Sequence, residues 1–407
     1  MSNNILLDKY NKINKKLTNL QINNSNKQYI SMLLCIYMLS VIIRFLIAII
    51  ERQPHIMGDE LSYTAMAYNF YKMGNFYPIQ NYGVVTNLPN ILYQFVISFS
   101  FYFGENFYII IKLINCLLIS LIIFPGYMLL KEYMTKDKAV IYTSMTILIP
   151  FNNITSFAMA ENLFFPLFSI SFYFSYKLIT EYKHKYVIFT SFSITLLYLT
   201  KPHAIALILS LIATIFIIFI HSVICKNSTN QKQSIVVLVK VLICTTLMLF
   251  SITFIIKGQI SVEALLGAYK KSTLTGNKIV YPIGDFFKMA LSHITITSIV
   301  YFVPIIVCIY VIIKGLRKES MVSKNKVILS ILSLMTFCAF LAMTIKFTIY
   351  IYKDEHFLRL HARYYYMTFI CLYYAAICFI NDIKLNKIHK LMVILGFAII
   401  NIVNYCI

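Results

Sequence analysis

Of the 407 residues, 59% are hydrophobic and only 13% charged, whereas soluble proteins carry about 25% charged residues and under half apolar ones. That composition excludes an ordinary soluble enzyme. The 36 Lys and Arg against 15 Asp and Glu leave a net charge of +21, which in a soluble chain would suggest nucleic-acid binding; beside so much apolar sequence it points to membrane topology, and no nucleic-acid partner is expected.

The chain opens with a polar arm, residues 1 to 28, rich in Asn and carrying Lys9, Lys15, Lys16 and Lys27. It lacks a small-residue cleavage site behind a short apolar core, so the first apolar run is read as a retained span. Residues 29 to 407 are expected to form one integral membrane unit. Repeated runs of about 20 Ile, Leu, Phe and Val residues can each cross a hydrocarbon core of about 30 Å. Short connections carry lysine clusters: Lys131, Lys136 and Lys138; Lys183 and Lys185; Lys226 and Lys232; Lys314, Arg317, Lys318, Lys324 and Lys326; and Lys384, Lys387 and Lys390. The positive-inside rule places these loops and the amino-terminal arm in the cytoplasm.

Spans are predicted near 29 to 50, 107 to 130, 138 to 150, 162 to 180, 185 to 200, 202 to 224, 234 to 256, 289 to 313, 326 to 350, 363 to 381 and 388 to 406. An apolar stretch at 88 to 103 would move every later lysine cluster to the other side if it crossed as well. It is therefore predicted to be a helix lying on the outer surface between Pro89 and Gly104. The expected architecture is an all-α polytopic bundle of about 11 transmembrane helices, with a long first external loop at 51 to 106 and a basic external loop at 257 to 288 bearing Lys270, Lys271 and Lys278. The nine cysteines are scattered, with no CxxC pair, and imply neither disulfides nor a metal site.

The first external loop holds His55-Ile-Met-Gly-Asp59-Glu60-Leu-Ser-Tyr63. Adjacent carboxylates at the mouth of a bundle repel one another and suggest a ligand, although a plain solvated loop is the competing reading. An amphipathic helix is predicted to follow, ended by Gly74. A long aromatic loop of this kind is more than a connector requires.

Five features in order then resemble the GT-C membrane glycosyltransferases, and within them the protein mannosyltransferase and aminoarabinose transferase group. These are Asp59-Glu60 after the first span, the 89 to 104 surface helix, Glu161 in Ala160-Glu161-Asn-Leu-Phe-Phe-Pro166, the Leu199-Thr-Lys201-Pro202 step, and Arg363-Tyr364 opening a late span. The resemblance covers roughly 30 to 205 and 351 to 368; the segment from 205 to 350 carries no alignable motif. It implies transfer of a sugar from a polyprenyl-phosphate donor to a lipid, glycan or protein acceptor at the outer face of the cell membrane. Asp59 and Glu60 are then the catalytic residues, Asp59 as general base and Glu60 to orient the acceptor, hold a metal or tune Asp59 by like-charge repulsion, while Glu161, Lys201, Arg363 and Tyr364 bind substrate. No cofactor is assigned, and a divalent metal is the alternative reading of His55 and the His356/His361 pair. A polysaccharide polymerase or ligase and a lipid-linked sugar flippase or transporter are the competing functions.

Overall fold

Where no water can satisfy backbone N–H and C=O groups, long apolar segments must be helical. The computed structural model describes residues 27–51, 59–74, 80–81, 84–85, 91–148, 152–257, 283–315, 322–351 and 362–379. Among them the strands are confined to an antiparallel pair of two-residue segments, β1 (Gln80–Asn81) and β2 (Val84–Val85). The helices are α1 (Lys27–Ala48), α2 (Asp59–Met73), α3 (Leu92–Ser98), α4 (Phe107–Ser120), α5 (Ile123–Leu130), α6 (Lys136–Ser144), α7 (Asn152–Thr155), α8 (Glu161–Glu181), α9 (His184–Thr200), α10 (Ala204–Ile224), α11 (Ser228–Lys257), α12 (Ile283–Gly315), α13 (Lys324–Ile351) and α14 (Thr368–Phe379).

Six helical stretches among the described residues are long and apolar enough to cross a membrane: Lys27–Ala48, Leu92–Leu130, Glu161–Glu181, Ala204–Ile224, Ser228–Ile255 and Lys324–Thr348. The chain is an all-α polytopic membrane protein. The predicted spans at 138 to 150 and 185 to 200 correspond to the shorter helices α6 and α9, and the one predicted at 388 to 406 lies outside the described residues. The predicted span at 363 to 381 begins later than expected: Ala362–Tyr364 form a 3₁₀ turn and α14 starts at Thr368. Arg363 and Tyr364 thus precede this helix instead of opening it.

The stretch Leu92–Leu130 is not a single rod. Gly104, at φ 58° and ψ −128°, breaks it, a conformation that a side chain would oppose. This glycine lies within a 3₁₀ segment, Phe99–Asn106, that follows α3; beyond that segment α4 and α5 run 107 to 130 with a turn at Leu121 and Ile122. The seven residues of α3 rise only about 10 Å, too little to cross. Contacts between α1 and α4–α5 settle the parity. Tyr37 meets Phe124 at a ring separation of 5.6 Å, Ser40 Oγ meets Ser120 Oγ at 2.9 Å, and Lys112 Nζ donates to Ala48 O at 3.1 Å. As one number rises the other falls, so the two helices are antiparallel and the segment between them returns to the face it left. Helix α2 packs beside α3 through Tyr63, Ala67, Tyr93 and Ile97, and Gly74 closes it in the left-handed region at φ 67° with its N–H on Phe70 O.

Of the three midspan cations that a transport path would draw on, Arg44, Lys112 and Lys346, the last is exposed and the first two are structural. Lys112 is buried and donates to the carbonyls of Ala48 and Glu51 at the end of α1, replacing partners that a helix end lacks. Arg44 is buried and donates to Ser40 Oγ at 3.2 Å and Thr146 O at 3.4 Å.

The main core joins α5, α8, α9, α10, α13 and α14 around Phe164, Phe168, Tyr176, Leu207, Phe340 and Phe379. Small hydroxyl residues allow close helix approach and bond across it, as Thr336 Oγ1 does to Ser210 Oγ at 3.1 Å. Gly126 serves the same end, since a Cβ there would collide with the ring of Tyr374. Exposed Ile30, Leu39, Ile42 and Leu46 on α1, and Ile235, Val239, Ile243 and Leu247 on α11, are side chains suited to lipid.

The antiparallel pairing makes a direct prediction about sidedness. Single cysteines at Glu51 and Glu105, on a background without reactive thiols, should react with an impermeant maleimide from the same side of a sealed membrane; reaction from opposite sides would mean that α3 crosses.

Candidate active site

Helix direction carries every sequence-predicted site residue to one end of the bundle. Helix α8 starts there with Glu161 and runs away; α9 returns and ends at Lys201; α10 leaves again from Ala204. The head of α2 brings Asp59 and Glu60, and the turn before α14 brings Arg363 and Tyr364.

Lys201 Nζ donates to Glu161 Oε1 at 2.6 Å, and both side chains are buried, 8% and 3% exposed. Burial of either charge alone would be costly, so each requires the other. The guanidinium of Arg363 stands between two carboxylates: its Nη2 lies 2.8 Å from Asp59 Oδ2 and its Nε 3.7 Å from Glu161 Oε1. Nη2 also donates to the Tyr364 hydroxyl at 2.9 Å. Burial works against the charge on Arg363, and Glu161, Tyr364 and Asp59 more than restore it, so this residue is a permanent cation held above its usual range. Asp59 keeps 45% of its side chain exposed and is the accessible carboxylate of the group.

Glu60, its neighbour, faces the other way. It is buried, and its Oε1 accepts from Tyr108 Oη and from the Ala158 N–H, both at 2.7 Å. The two acids that look equivalent in sequence are therefore split by a helix turn. Glu60 ties the head of α2 to α4 and to the loop before α8, and Asp59 opens to solvent. That loop is held in turn by Asn162, whose Nδ2 donates to the carbonyls of Ile154, Phe157 and Met159, and by Asn115, whose Nδ2 donates to Phe157 O at 2.8 Å.

The site also contains a residue that the motif reading passed over. His203 is buried with its ring 4.5 Å from that of Tyr364, which meets Phe347 at 5.0 Å. Burial first, and the charge of Lys201 second, hold this imidazole down at about 3, so it is neutral. Its position two residues beyond Lys201, at the break between two apolar runs, was the available signal. Lys201 Nζ lies 5.1 Å from the Tyr364 ring centroid, which completes an aromatic wall behind the charges. Glu161 Oε2 and His203 Nδ1 are buried without a hydrogen-bond partner among the described residues. They leave polar capacity turned towards this cluster.

Among the described residues no three His, Cys, Asp or Glu side chains gather as a metal site. His55, His356 and His361 lie outside the described residues, as does the basic segment around Lys270, Lys271 and Lys278.

No protein-family model and no curated protein matches the chain. Among solved structures it is similar to ArnT of Cupriavidus metallidurans bound to undecaprenyl phosphate, with 12% identity and a TM-score of 0.49 over 89% of this chain and 63% of that one. The apo state of the same protein gives 12% identity and a TM-score of 0.47 over 89% and 62%. An oligosaccharyltransferase of Archaeoglobus fulgidus, tethered with an acceptor peptide, gives 15% identity and a TM-score of 0.46 over 90% and 54%. The chain thus spans less than two thirds of the length of each. These neighbours are membrane glycosyltransferases of GT-C fold.

The buried pair should behave as a unit. Lys201→Met leaves Glu161 largely uncompensated and should cost about 3 to 5 kcal/mol, read as a lowered thermal midpoint in detergent. Adding Glu161→Leu should recover most of that loss; a double variant whose loss equals the sum of the two single-variant losses would show that the two side chains act independently.

Proposed function

We propose that this protein is a membrane glycosyltransferase that moves a sugar from a polyprenyl-phosphate donor to an acceptor hydroxyl at the outer face of the cell membrane. The observation that carries the reading is the position of Arg363, a phosphate-suited cation set directly against an accessible carboxylate, Asp59.

In this mechanism the acceptor oxygen attacks the anomeric carbon as its proton passes to Asp59, and the bond from that carbon to the phosphate oxygen breaks. A single displacement inverts the anomeric centre. The leaving polyprenyl phosphate keeps the bonding electrons, and Arg363 neutralises its charge with Lys201 behind it. Tyr364 and His203 form the wall on which that headgroup rests. Glu60 is a positioning residue: it fixes the first turn of α2 so that Asp59 projects into the site.

The resting Asp59–Arg363 pair adds a control. A carboxylate oxygen already occupied by a guanidinium is not free to receive the acceptor's proton. Because both partners are partly exposed, the pair contributes at most about 1 kcal/mol and yields readily to a competing anion. The donor phosphate takes over Arg363, which releases Asp59 for proton transfer only when donor is bound.

The neighbours support a lipid-linked donor: one is named with undecaprenyl phosphate and another with an acceptor peptide. The burial of Arg44 and Lys112 against protein oxygens weighs against a transporter, which needs charges facing a path.

In reconstituted vesicles Asp59→Asn should lower the transfer rate by about a thousandfold while the thermal midpoint stays close to wild type; full transfer by that variant would remove the proposed base. Arg363→Lys keeps the charge but loses the fork, and should raise the KM for donor by roughly tenfold. An unchanged KM would place the phosphate elsewhere. Because the cations of the site carry the leaving phosphate in this mechanism, EDTA should leave the rate within about twofold; abolition restored by a divalent ion would favour the metal alternative.

A further inference from the structure

The end of the bundle away from Asp59 carries a second polar feature, unrelated to glycosyl transfer. Where α8 ends and α9 and α11 begin lies a cleft of about 680 Å³. The 21 residues of α8 put it roughly 30 Å from the candidate active site, at the other membrane face. His184 from the head of α9 and Lys232 and Lys240 from α11 line it, with Ser228 at its rim and Val187 and Val236 on its apolar wall. No Asp or Glu is among the described residues that line it.

Lys240 lies eight residues beyond Lys232, just over two turns along the same face of α11 and about 12 Å deeper. It sits inside the apolar stretch Ser228–Ile255, where an ammonium needs a counter-charge or a route to the interface. The arrangement therefore offers cations at two depths beside an apolar wall.

The remaining sequence that joins this face is basic as well. Tyr29, near the start of α1, bonds Asp137 at 2.7 Å, and Phe379, the last residue of α14, meets Tyr133, so both helices have these ends here. The adjoining sequence has Lys9, Lys12, Lys15 and Lys16 against Asp8, and Lys384, Lys387 and Lys390 against Asp382. Like charge disfavours either stretch as the occupant.

We propose that this cleft binds the phosphate headgroup of an anionic phospholipid from the leaflet on that face, with one acyl chain against Val187 and Val236. Cationic pockets between transmembrane helices suit such headgroups. The proposal does not depend on the reaction at the other face.

The test uses the full-length protein in nanodiscs of equimolar phosphatidylglycerol and phosphatidylcholine, followed by detergent extraction and native mass spectrometry of retained lipid. Wild type should retain phosphatidylglycerol over phosphatidylcholine by about tenfold, and Lys232→Gln/Lys240→Gln should reduce that ratio to about twofold or less. Lys314→Gln, which removes a cation outside the cleft, should keep the wild-type ratio. A double variant with undiminished preference, a wild type with none, or displacement of the lipid by millimolar inorganic phosphate would overturn the proposal. If the double variant does not fold, Lys240→Gln alone is read in the same assay, and an unchanged ratio there overturns it equally.

Discussion

The arrangement at the active end depends on one buried ion pair. Lys201 and Glu161 meet at 2.6 Å with almost no access to water. Neither charge can be left alone there without a penalty of several kcal/mol, about the scale of the whole folding free energy. The end of α9 and the start of α8 must therefore coincide, which fixes the direction and depth of two central helices. Arg363 then completes the charge balance with a contact to the same Glu161 oxygen and a second one to Asp59. The turn before α14 and the head of α2 are drawn to the same point.

Adjacent acids acquire different work from this frame. Glu60 is surrounded by protein and accepts from Tyr108 and the Ala158 N–H, so it orders backbone. Asp59, one residue earlier on the same helical turn, faces outward and is paired with a guanidinium that an anionic ligand can claim. Environment separates two chemically similar groups into a buried brace and an accessible carboxylate, the one that the proposed mechanism uses as its base. Such separation explains why scarce carboxylates occur side by side at the mouth of an apolar bundle.

Much of this was legible in the sequence because membrane burial imposes simple rules. Length and hydropathy located α1, α8, α10, α11 and α13, and charge parity assigned 88 to 103 to one face before α3 was seen to stop after seven residues. The residues that meet at the site were also visible, since an ionisable side chain at the end of an apolar run needs a reason. What could not be read was pairing across long separations. Nothing in the local sequence joins Arg363 to Asp59, 304 residues away, or tells Glu60 from Asp59. His203 was missed because a neutral imidazole beside an aromatic ring leaves no charge pattern. The 3₁₀ turn at Ala362–Tyr364 was absorbed into the following span because the residues from Tyr364 to Met367 are as apolar and aromatic as the helix itself.

The central claim is that the cluster around Arg363 performs sugar transfer from a lipid phosphate. It is tested most directly by incubating the reconstituted full-length protein with a panel of labelled polyprenyl-phosphate sugars and a membrane extract as acceptor, then determining the anomeric configuration of the labelled product. The account predicts a product from at least one donor, with the configuration inverted and free polyprenyl phosphate released in equal amount. A product that retains the donor configuration, or movement of intact donor across the bilayer without transfer, would contradict it.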